Sequence, residues 1–554
     1  MPESKNTAAV FPRALYPLLV LAAGLIAYIP YLGSYGLLDP TDSFFLESGR
    51  EILETNQFLL PVNNYQPWLD KPILFFWMVA YAYKFFGIHP FIGRLPAALS
   101  AVAAGLIIYA GCRPMLNRRY AAVAALIFLC SPLVSIVGHV CLTDMTLCAL
   151  ITGSILFLFK ALESRKNSEL LIGYFFLSLA MLCKGPVCLI ICGISLLPYI
   201  VSVSKSRNDF FSMLMRLKPL LGIAILLLLN LPWYIAASLA TNGKFLETFF
   251  ITQNFGRLVG TVNHQGPFYF YVPVFFGGFL PWCIFCFTAC GILQKTMDKR
   301  NQEPSLYRRF FRLNLLWFLA VMAMFSIIKT KLPTYILPAA PAFAILTAMQ
   351  LQIFGKTNKY KRLLPSTITL ALLLLVGLMI HPLLKGYVRD IVSQSLWIIA
   401  PLGCTLGLCI YALNKHKWNL FLSGILSFAF ISCSIMVPRG LTVFYQTKQI
   451  AFSKLVKIAK EANASISMIF AEEPSIPWIT HKPVSRLQNK EEAQQYLKEK
   501  SAPHYVLVQT ANLDRLEWFE SELQEIQKAG KWHLYAIQKP GQKALLPTPE
   551  ISAK

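Results

Sequence analysis

Long apolar runs, broken by short polar or basic stretches, recur along this chain as far as about residue 437 and then give way to a different pattern. Runs such as Leu220 to Leu231 and Leu364 to Ile380 approach or reach the length that crosses a hydrocarbon core, since a helix rises about 1.5 Å per residue and the core is about 30 Å thick. The pattern predicts thirteen spans, near residues 14–33, 92–112, 121–138, 145–161, 169–183, 187–203, 219–238, 268–293, 314–328, 334–353, 364–381, 395–413 and 419–437. Between the first two, Ser34 to His89 is too polar around Asn56 to Lys71 to be a span. Its apolar piece, Pro72 to Tyr83, is short enough to be a juxtamembrane helix lying in the interface. After residue 438, SISMIFAEE, HYVLVQT and WHLYAIQ read as strands, and the charged stretches Asn489 to Lys500 and Leu513 to Gln527 as helices between them. The expected fold is therefore mainly α: a polytopic domain over 1–437, with 34–91 as its first outer loop, followed by an α/β domain over 438–554.

Composition agrees with a membrane protein. Of 554 residues 56% are hydrophobic and 14% charged, and the mean hydropathy is +0.53, so the apolar surface needs lipid. A net charge of +24 would suit a nucleic-acid partner. Its placement argues otherwise, because most basic residues sit in short clusters between apolar runs, as in cytoplasmic loops. Met1 to Arg13 is followed by an apolar stretch reaching about Leu32 without a small-residue cleavage site, which predicts a first span rather than a removed leader. With the N-terminus inside, the clusters at Arg113 to Arg119, Arg165 and Lys166, Lys205 to Lys218, Lys295 to Arg312, Lys356 to Arg362, and Lys415 and Lys417 all fall on the inner side. Thirteen crossings then put the C-terminal domain outside. The thirteen cysteines lie mostly inside apolar runs. Cys283 and Cys286, with Cys290 a turn on, read as small-residue helix packing rather than a metal or redox site.

Charge that breaks the inside rule marks candidate chemistry. Asp39, Asp42, Asp70, Lys71, Asp144, Lys184, Arg257, His264, Lys329 and Lys331 map to the outer face near span ends, where ionisable groups are costly to hold. Asp39 and Asp42 stand beside a proline at a helix opening, and either one serves as an N-cap or as an acid with chemistry. Asp144 begins another apolar run and has the same two readings. Lys329 and Lys331 either snorkel to the interface or, with Lys71 and Arg257, converge on an anion. Converging cations with carboxylates nearby suit a lipid phosphate or pyrophosphate and a group transferred from it.

In order along the chain come DPTDSFFLESGREIL, WLDKPILFFW, IGRLPAALS, LTDM, CKG, LPWYIA, NHQGPFYFYVP with LPW, and KTKLPTYILP. This order resembles the GT-C glycosyltransferases, and within them the lipid A aminoarabinose transferases, relatives of the protein O-mannosyltransferases. The resemblance covers roughly residues 14 to 355. It implies transfer of a sugar from a polyprenyl-phosphate carrier to lipid A or another envelope glycan or protein acceptor, at the outer face of a bacterial inner membrane. Family members carry Asp-Glu-x-Arg-Tyr in the first outer loop. Here the stretch reads Thr41, Asp42, Ser43, Phe44, Phe45, so the first acid is missing and two phenylalanines replace the basic residue and the tyrosine. Asp42 keeps the second acidic position, and Asp39 is the candidate for a displaced carboxylate.

The resemblance also implies roles for other positions. Lys71 falls on the lysine of a Glu-Lys-Pro motif, with Asp70 in place of the glutamate. Lys331 and Tyr335 fall on Lys-Leu-Pro-Thr-Tyr, next to Lys329. Arg257 and His264 fall on the loop before a Pro-Phe-x-x-Tyr stretch. Their expected work is to grip the carrier phosphate and neutralise charge as the glycosidic bond breaks, while His264 either shares that work or holds the loop. Asp42, Asp39 and Asp144 are the expected catalytic carboxylates. No cofactor is expected with certainty. Asp42, Asp70 and Asp144 are the ligands a divalent ion would use, although no spacing commits them to a metal. A lipid-linked sugar flippase and a catalytically dead relative are the rival readings.

Overall fold

In the computed structural model the described residues are 12–256, 265–285, 306–357, 359–471, 473–498, 504–519 and 522–538. Among them, eight helices are long and apolar enough to cross a membrane, or nine if one bent pair is a single span. The eight coincide with predicted spans at 92–112, 145–161, 219–238, 314–328, 334–353, 364–381, 395–413 and 419–437. The ninth, at 121–138, is the bent pair: Arg118–Leu129 and Pro132–Gly138 meet at 65°, where Pro132 cannot continue the first helix's hydrogen-bond ladder. The remaining predicted spans correspond to shorter or more polar helices, Leu15–Tyr28, Asn167–Lys184, Val187–Val203 and the Phe268–Gly278 stretch. Residues 286–293 lie outside the described set.

The chain divides into two compact units. The first comprises Met1–Leu32, Leu69–Met78 and Arg94–Gly440, and the second Gly33–Trp68, Val79–Gly93 and Leu441–Lys554. In the first, neighbouring helices approach closely where one lacks a side chain. A Cβ on Gly153 would stand 2.7 Å from the Phe176 ring, and one on Gly173 2.7 Å from Leu158. Small residues thus set the spacing between helices Thr143–Ser164 and Asn167–Lys184, as in membrane helix packing generally. Arg94, fully buried, donates to the Leu32 carbonyl at 2.7 Å.

The second unit gathers most of the first outer loop with the C-terminal segment. The loop contributes helix Thr41–Thr55 and a hairpin of β1 (Val62–Asn63) and β2 (Gln66–Pro67). The apolar piece expected at 72–83 is helix Leu74–Phe86, which straddles both units. The C-terminal segment forms a five-stranded sheet, ordered β4-β3-β5-β7-β6, from β3 (Ser465–Ile469), β4 (Ser485–Leu487), β5 (His504–Gln509), β6 (Glu522–Ala529) and β7 (Trp532–Gln538). The β3 strand is parallel to β4 and β5, and β7 is antiparallel to β5 and β6. Helix Ile450–Glu461 covers one face through Phe452, Leu455, Val456 and Ala459. On the other face Leu487, Val506 and Val508 pack with Ala493 and Tyr496.

One expected element is different. Leu513 to Gln527 is not a helix: Thr510–Trp518 is a 3-10 segment, and β6 follows as an edge strand. Leu523, Ile526 and Ala529 recur every third position and so mimic a helical face. In the strand, Leu523 packs on one core, and a bulge between Glu525 and Gln527 lets Ile526 and Ala529 both reach the other. A bulge shifts the two-residue period by one, which sequence periodicity cannot display.

Candidate functional site

In the first unit, the CKG motif builds the centre of the candidate site. Lys184 ends helix Asn167–Lys184, and Asp144 lies in the first turn of helix Thr143–Ser164, whose N-cap is Leu142. Asp144 is therefore not an N-cap. Its carboxylate takes the Lys184 ammonium at 2.6 Å, with both side chains largely buried. A carboxylate at a helix start and an ammonium at a helix end are each stabilised by the local dipole, so the pair suits both termini. Gly185 ends the lysine helix at φ +87, and a Cβ there would meet Phe249 at 2.3 Å. Cys183 contacts the Thr143 carbonyl at 3.7 Å and lies within electrostatic reach of Lys184, Asp144 and Lys71.

Aromatic rings connect this pair to the KTKLPTY motif. The Lys184 ammonium lies 5.4 Å from the Tyr335 ring centroid. Tyr335 packs on Phe325 at 5.4 Å, and Phe325 meets Tyr271 at 6.5 Å. Lys331 stands 5.4 Å from the Tyr271 ring and donates to the carbonyls of Phe325 and Ser326 at 2.7 and 2.6 Å. It thereby caps the end of helix Leu306–Ile327. Lys331 is buried, with 5% of its surface exposed, and the lost hydration holds its ammonium below the usual lysine range. Its neighbour Lys329 is exposed. The stretch after the NHQG motif packs alongside: Gly266 donates to the Lys329 carbonyl at 3.4 Å, and the Tyr271 hydroxyl to that of Leu332 at 3.2 Å. The first unit thus links Asp144, Lys184, Tyr335, Phe325, Tyr271 and Lys331 through successive contacts, Tyr271 being added by the structure, and Lys71 belongs to the same unit. Asp70 is half-buried beside Lys71. Arg257 and His264 lie outside the described residues.

An apolar groove of about 590 Å³ runs between helices Val187–Val203 and Leu306–Ile327, lined by Ile190, Ile194, Leu197, Pro198, Ala320 and Met324. Met324 adjoins Phe325 in sequence, and Ile190 lies in the first turn of the helix that follows Lys184 and Gly185.

Asp39 and Asp42 lie in the second unit. Asp42, fully buried in the first turn of helix Thr41–Thr55, accepts the Leu38 N–H at 3.3 Å. Asp39 accepts from the Ser43 and Ser475 hydroxyls and from the Ser475 N–H at 3.2 Å, so it clasps the first outer loop to the segment after β3. Burial pushes the Asp39 carboxyl up to about 6 against the pull of those hydrogen bonds. Glu473 nearby rises to about 8, through burial and then the charge of Asp39.

The same helix buries a charge network that sequence reading passed over. Arg50, 1% exposed, donates from Nε to Glu47 at 2.8 Å and from Nη2 to the other Glu47 oxygen and, at 3.1 Å, to the Tyr65 hydroxyl. Its Nη1 pairs with Glu54 and meets His481 Nδ1 at 3.0 Å. Glu51 is fully buried and accepts the Tyr65 N–H at 3.0 Å; burial and the neighbouring Glu47 charge push its carboxyl up to about 8. The spacing Glu47, Arg50, Glu51, Glu54 reads as a solvated helix face, and only the tertiary partners Tyr65 and His481 reveal otherwise. Among the described residues no three His, Cys, Asp or Glu side chains are grouped closely enough to hold a metal.

A family model described as dolichyl-phosphate-mannose-protein mannosyltransferase matches residues 70–235, the stretch that holds Lys71, Asp144 and Lys184. The crystal structure of ArnT from Cupriavidus metallidurans bound to undecaprenyl phosphate shares the fold at a TM-score of 0.78 and 19% identity, over 94% of this chain and 98% of that one. The apo oligosaccharyltransferase of Archaeoglobus fulgidus does so at 0.53 and 11%, over 90% and 70%. The fold is thereby that of these multi-span membrane proteins. By sequence the chain is similar to proteins named undecaprenyl phosphate-alpha-4-amino-4-deoxy-L-arabinose arabinosyl transferase. It is 30% identical to one from Proteus mirabilis over 58% of this chain, and 29% identical to one from Serratia proteamaculans over 60%. The match spans 57% and 58% of those relatives' own lengths.

Three outcomes test this geometry. Gly185→Ala, at a positive φ with no room for Cβ, is expected to destabilise the first unit by about 1–3 kcal/mol, read as a lowered thermal transition. Arg50→Met leaves buried carboxylates without their cation and is expected to cost about 3–5 kcal/mol, read as faster amide exchange in residues 41–55. Carboxyls with raised values bind protons in the fold that the unfolded chain has released. Protection of the second unit is therefore expected to be greatest near pH 4 to 5 and to fall as pH rises towards 8. Amide exchange across that range, corrected for intrinsic rates, checks this, and Glu51→Gln is expected to flatten the profile.

Proposed function

We propose that this protein transfers a sugar from a polyprenyl-phosphate carrier to a lipid A-type acceptor, at the outer face of a bacterial inner membrane. The observation that supports the reading is the run of contacts in one unit from the Lys184–Asp144 pair through Tyr335, Phe325 and Tyr271 to Lys331, with Lys71 in that same unit. Two of the three N–H donors of Lys331 hold helix-end carbonyls, and the third serves the carrier phosphate. Lys71 supplies a second cation, Tyr335 a hydroxyl, and Arg257 and Lys329 complete the grip. The groove between helices Val187–Val203 and Leu306–Ile327 has the apolar lining an isoprenoid chain needs. The names of the similar transferases support the choice of donor.

An acceptor oxygen attacks the anomeric carbon, the bond from that carbon to the phosphate oxygen breaks, and the carrier leaves as a phosphate whose growing charge the cations stabilise. Asp144 aims the Lys184 ammonium. Asp42 is fully buried, and Leu38 donates an N–H to its carboxylate, so it is poorly suited to removing a proton. An acceptor phosphate, already ionised at neutral pH, needs no base. By charge parity the site lies outside, thirteen crossings precede the tail, and residues 438–554 form an outer α/β domain.

Proteoliposomes given a labelled polyprenyl-phosphate sugar and lipid A test the reading. Lys331→Met and Lys71→Ala are each expected to lower transfer by about 10²–10³-fold in variants that keep the wild-type thermal transition. Asp42→Asn is expected to lower it less than tenfold with a phosphate acceptor. Undiminished transfer in both lysine variants, or passage of intact donor across the bilayer without transfer, would overturn the assignment.

A further inference from the structure

At one end of the C-terminal sheet an exposed aromatic ring, Phe470, stands beside Trp518, which is half-buried against one of the sheet's cores. Phe470 directly follows β3, and its N–H bonds to the Leu487 carbonyl at 3.0 Å. Its φ is +53, a conformation that bulky L residues rarely adopt. Its side chain is 43% exposed, and in the described chain after residue 441 only Ile450 and Phe470 are large apolar residues left this open. Strain spent on presenting an aromatic ring to water is a pointer to function.

Two neighbours complete the surface. Trp518 closes the 3-10 segment after β5, with its ring centroid 5.2 Å from that of Phe470 at an interplanar angle of 74°. The Arg515 guanidinium lies 5.8 Å from the Trp518 ring centroid. Arg515 Nε also meets Asp514 Oδ2 at 3.2 Å, but that pair is open to water and weak. Phe470 and Trp518 stand just past the carboxyl ends of β3 and of β5 with its following turn. Central β3 has β4 on one side and β5 on the other, both parallel to it, and the chain leaves it towards β4. Crevices at such topological switch points are where α/β sheets take ligands.

We propose that Phe470, Trp518 and Arg515 form a saccharide-binding platform for an anionic glycan. Aromatic rings pack against the C–H face of a pyranose, and a guanidinium forks onto phosphate or carboxylate oxygens. A bilayer would call for a broader apolar patch than one exposed ring beside a cation. Placing this platform on the acceptor's phosphorylated amino-sugar headgroup rests on the transfer reaction proposed above.

Calorimetry on the full-length protein in detergent tests the platform, with an acyl-free glucosamine disaccharide bearing two phosphates as probe and the phosphate-free disaccharide beside it. Wild type is expected to bind the phosphorylated sugar more tightly. Phe470→Gly removes the ring but suits the positive φ, so it is expected to keep or raise the thermal transition while weakening binding at least tenfold. Trp518→Ala is expected to weaken binding as much, and Arg515→Gln to abolish the preference for phosphate. Failure of wild type to bind, or unchanged affinity in both ring variants, would overturn the platform. Ring-dependent binding by a wild type that transfers no sugar would uphold the platform and remove the reaction. Transfer by Phe470→Gly with a wild-type acceptor KM would remove the platform and leave the reaction standing.

Discussion

An ammonium and a carboxylate 2.6 Å apart, Lys184 on Asp144, tie the end of one helix to the start of another. Neither charge is tolerable alone in so dry a place. Each helix terminus lowers the cost of its own charge, and each charge lowers the cost of the other. Because the pair neutralises itself, the Tyr335 ring can pack 5.4 Å from the ammonium without burying net charge. Lys331 meets the same constraint differently. Backbone carbonyls at the end of helix Leu306–Ile327 serve as its counter-dipoles, so it keeps net positive charge. An anion entering this cluster would therefore meet one cation compensated by a carboxylate, Lys184, and one held by backbone carbonyls, Lys331.

The second unit solves the reverse problem, an excess of buried acid. Helix Thr41–Thr55 carries Asp42, Glu47, Glu51 and Glu54 and only Arg50 as its cation. Arg50 serves Glu47 and Glu54, and Glu51, left over, rises to about 8 and holds its proton at neutral pH. Asp39 and Glu473 repeat the arrangement at the clasp between the loop and the sheet. Protonation replaces a counter-ion wherever none fits, at the cost of a dependence on pH.

Much of this was legible in the residues. Apolar runs located the helices, and ordered motifs located Lys71, Asp144, Lys331 and Tyr335. What stayed hidden depended on tertiary partners. Lys329 and Lys331 look alike in KTK, yet one is exposed and the other buried under Gly266, where a Cβ would press to 2.8 Å from the lysine chain. The spacing of Glu47, Arg50 and Glu51 suits a solvated helix face as well as a buried network. A bulge gave β6 the apolar spacing of a helix. In each case the local pattern fits two environments, and packing from distant residues decides between them.

The altered acidic motif gains meaning from this contrast. Thr41, Phe44 and Phe45 take an acid, a base and a phenol out of the first outer loop relative to the pattern it resembles. Phe45 is 1% exposed, and Phe44 packs edge-on against both Phe45 and Trp68, with ring centroids 5.0 and 5.1 Å away. Those two positions therefore supply packing to a helix already heavy with buried carboxylates, where a further acid would need a cation of its own. In the proposed transfer the loss is affordable only if the nucleophile arrives ionised. A hydroxyl must shed its proton as it attacks, whereas a phosphate oxygen has already done so. Within that proposal the buried Asp42, committed to a backbone N–H, and the threonine at position 41 both fit a phosphate acceptor.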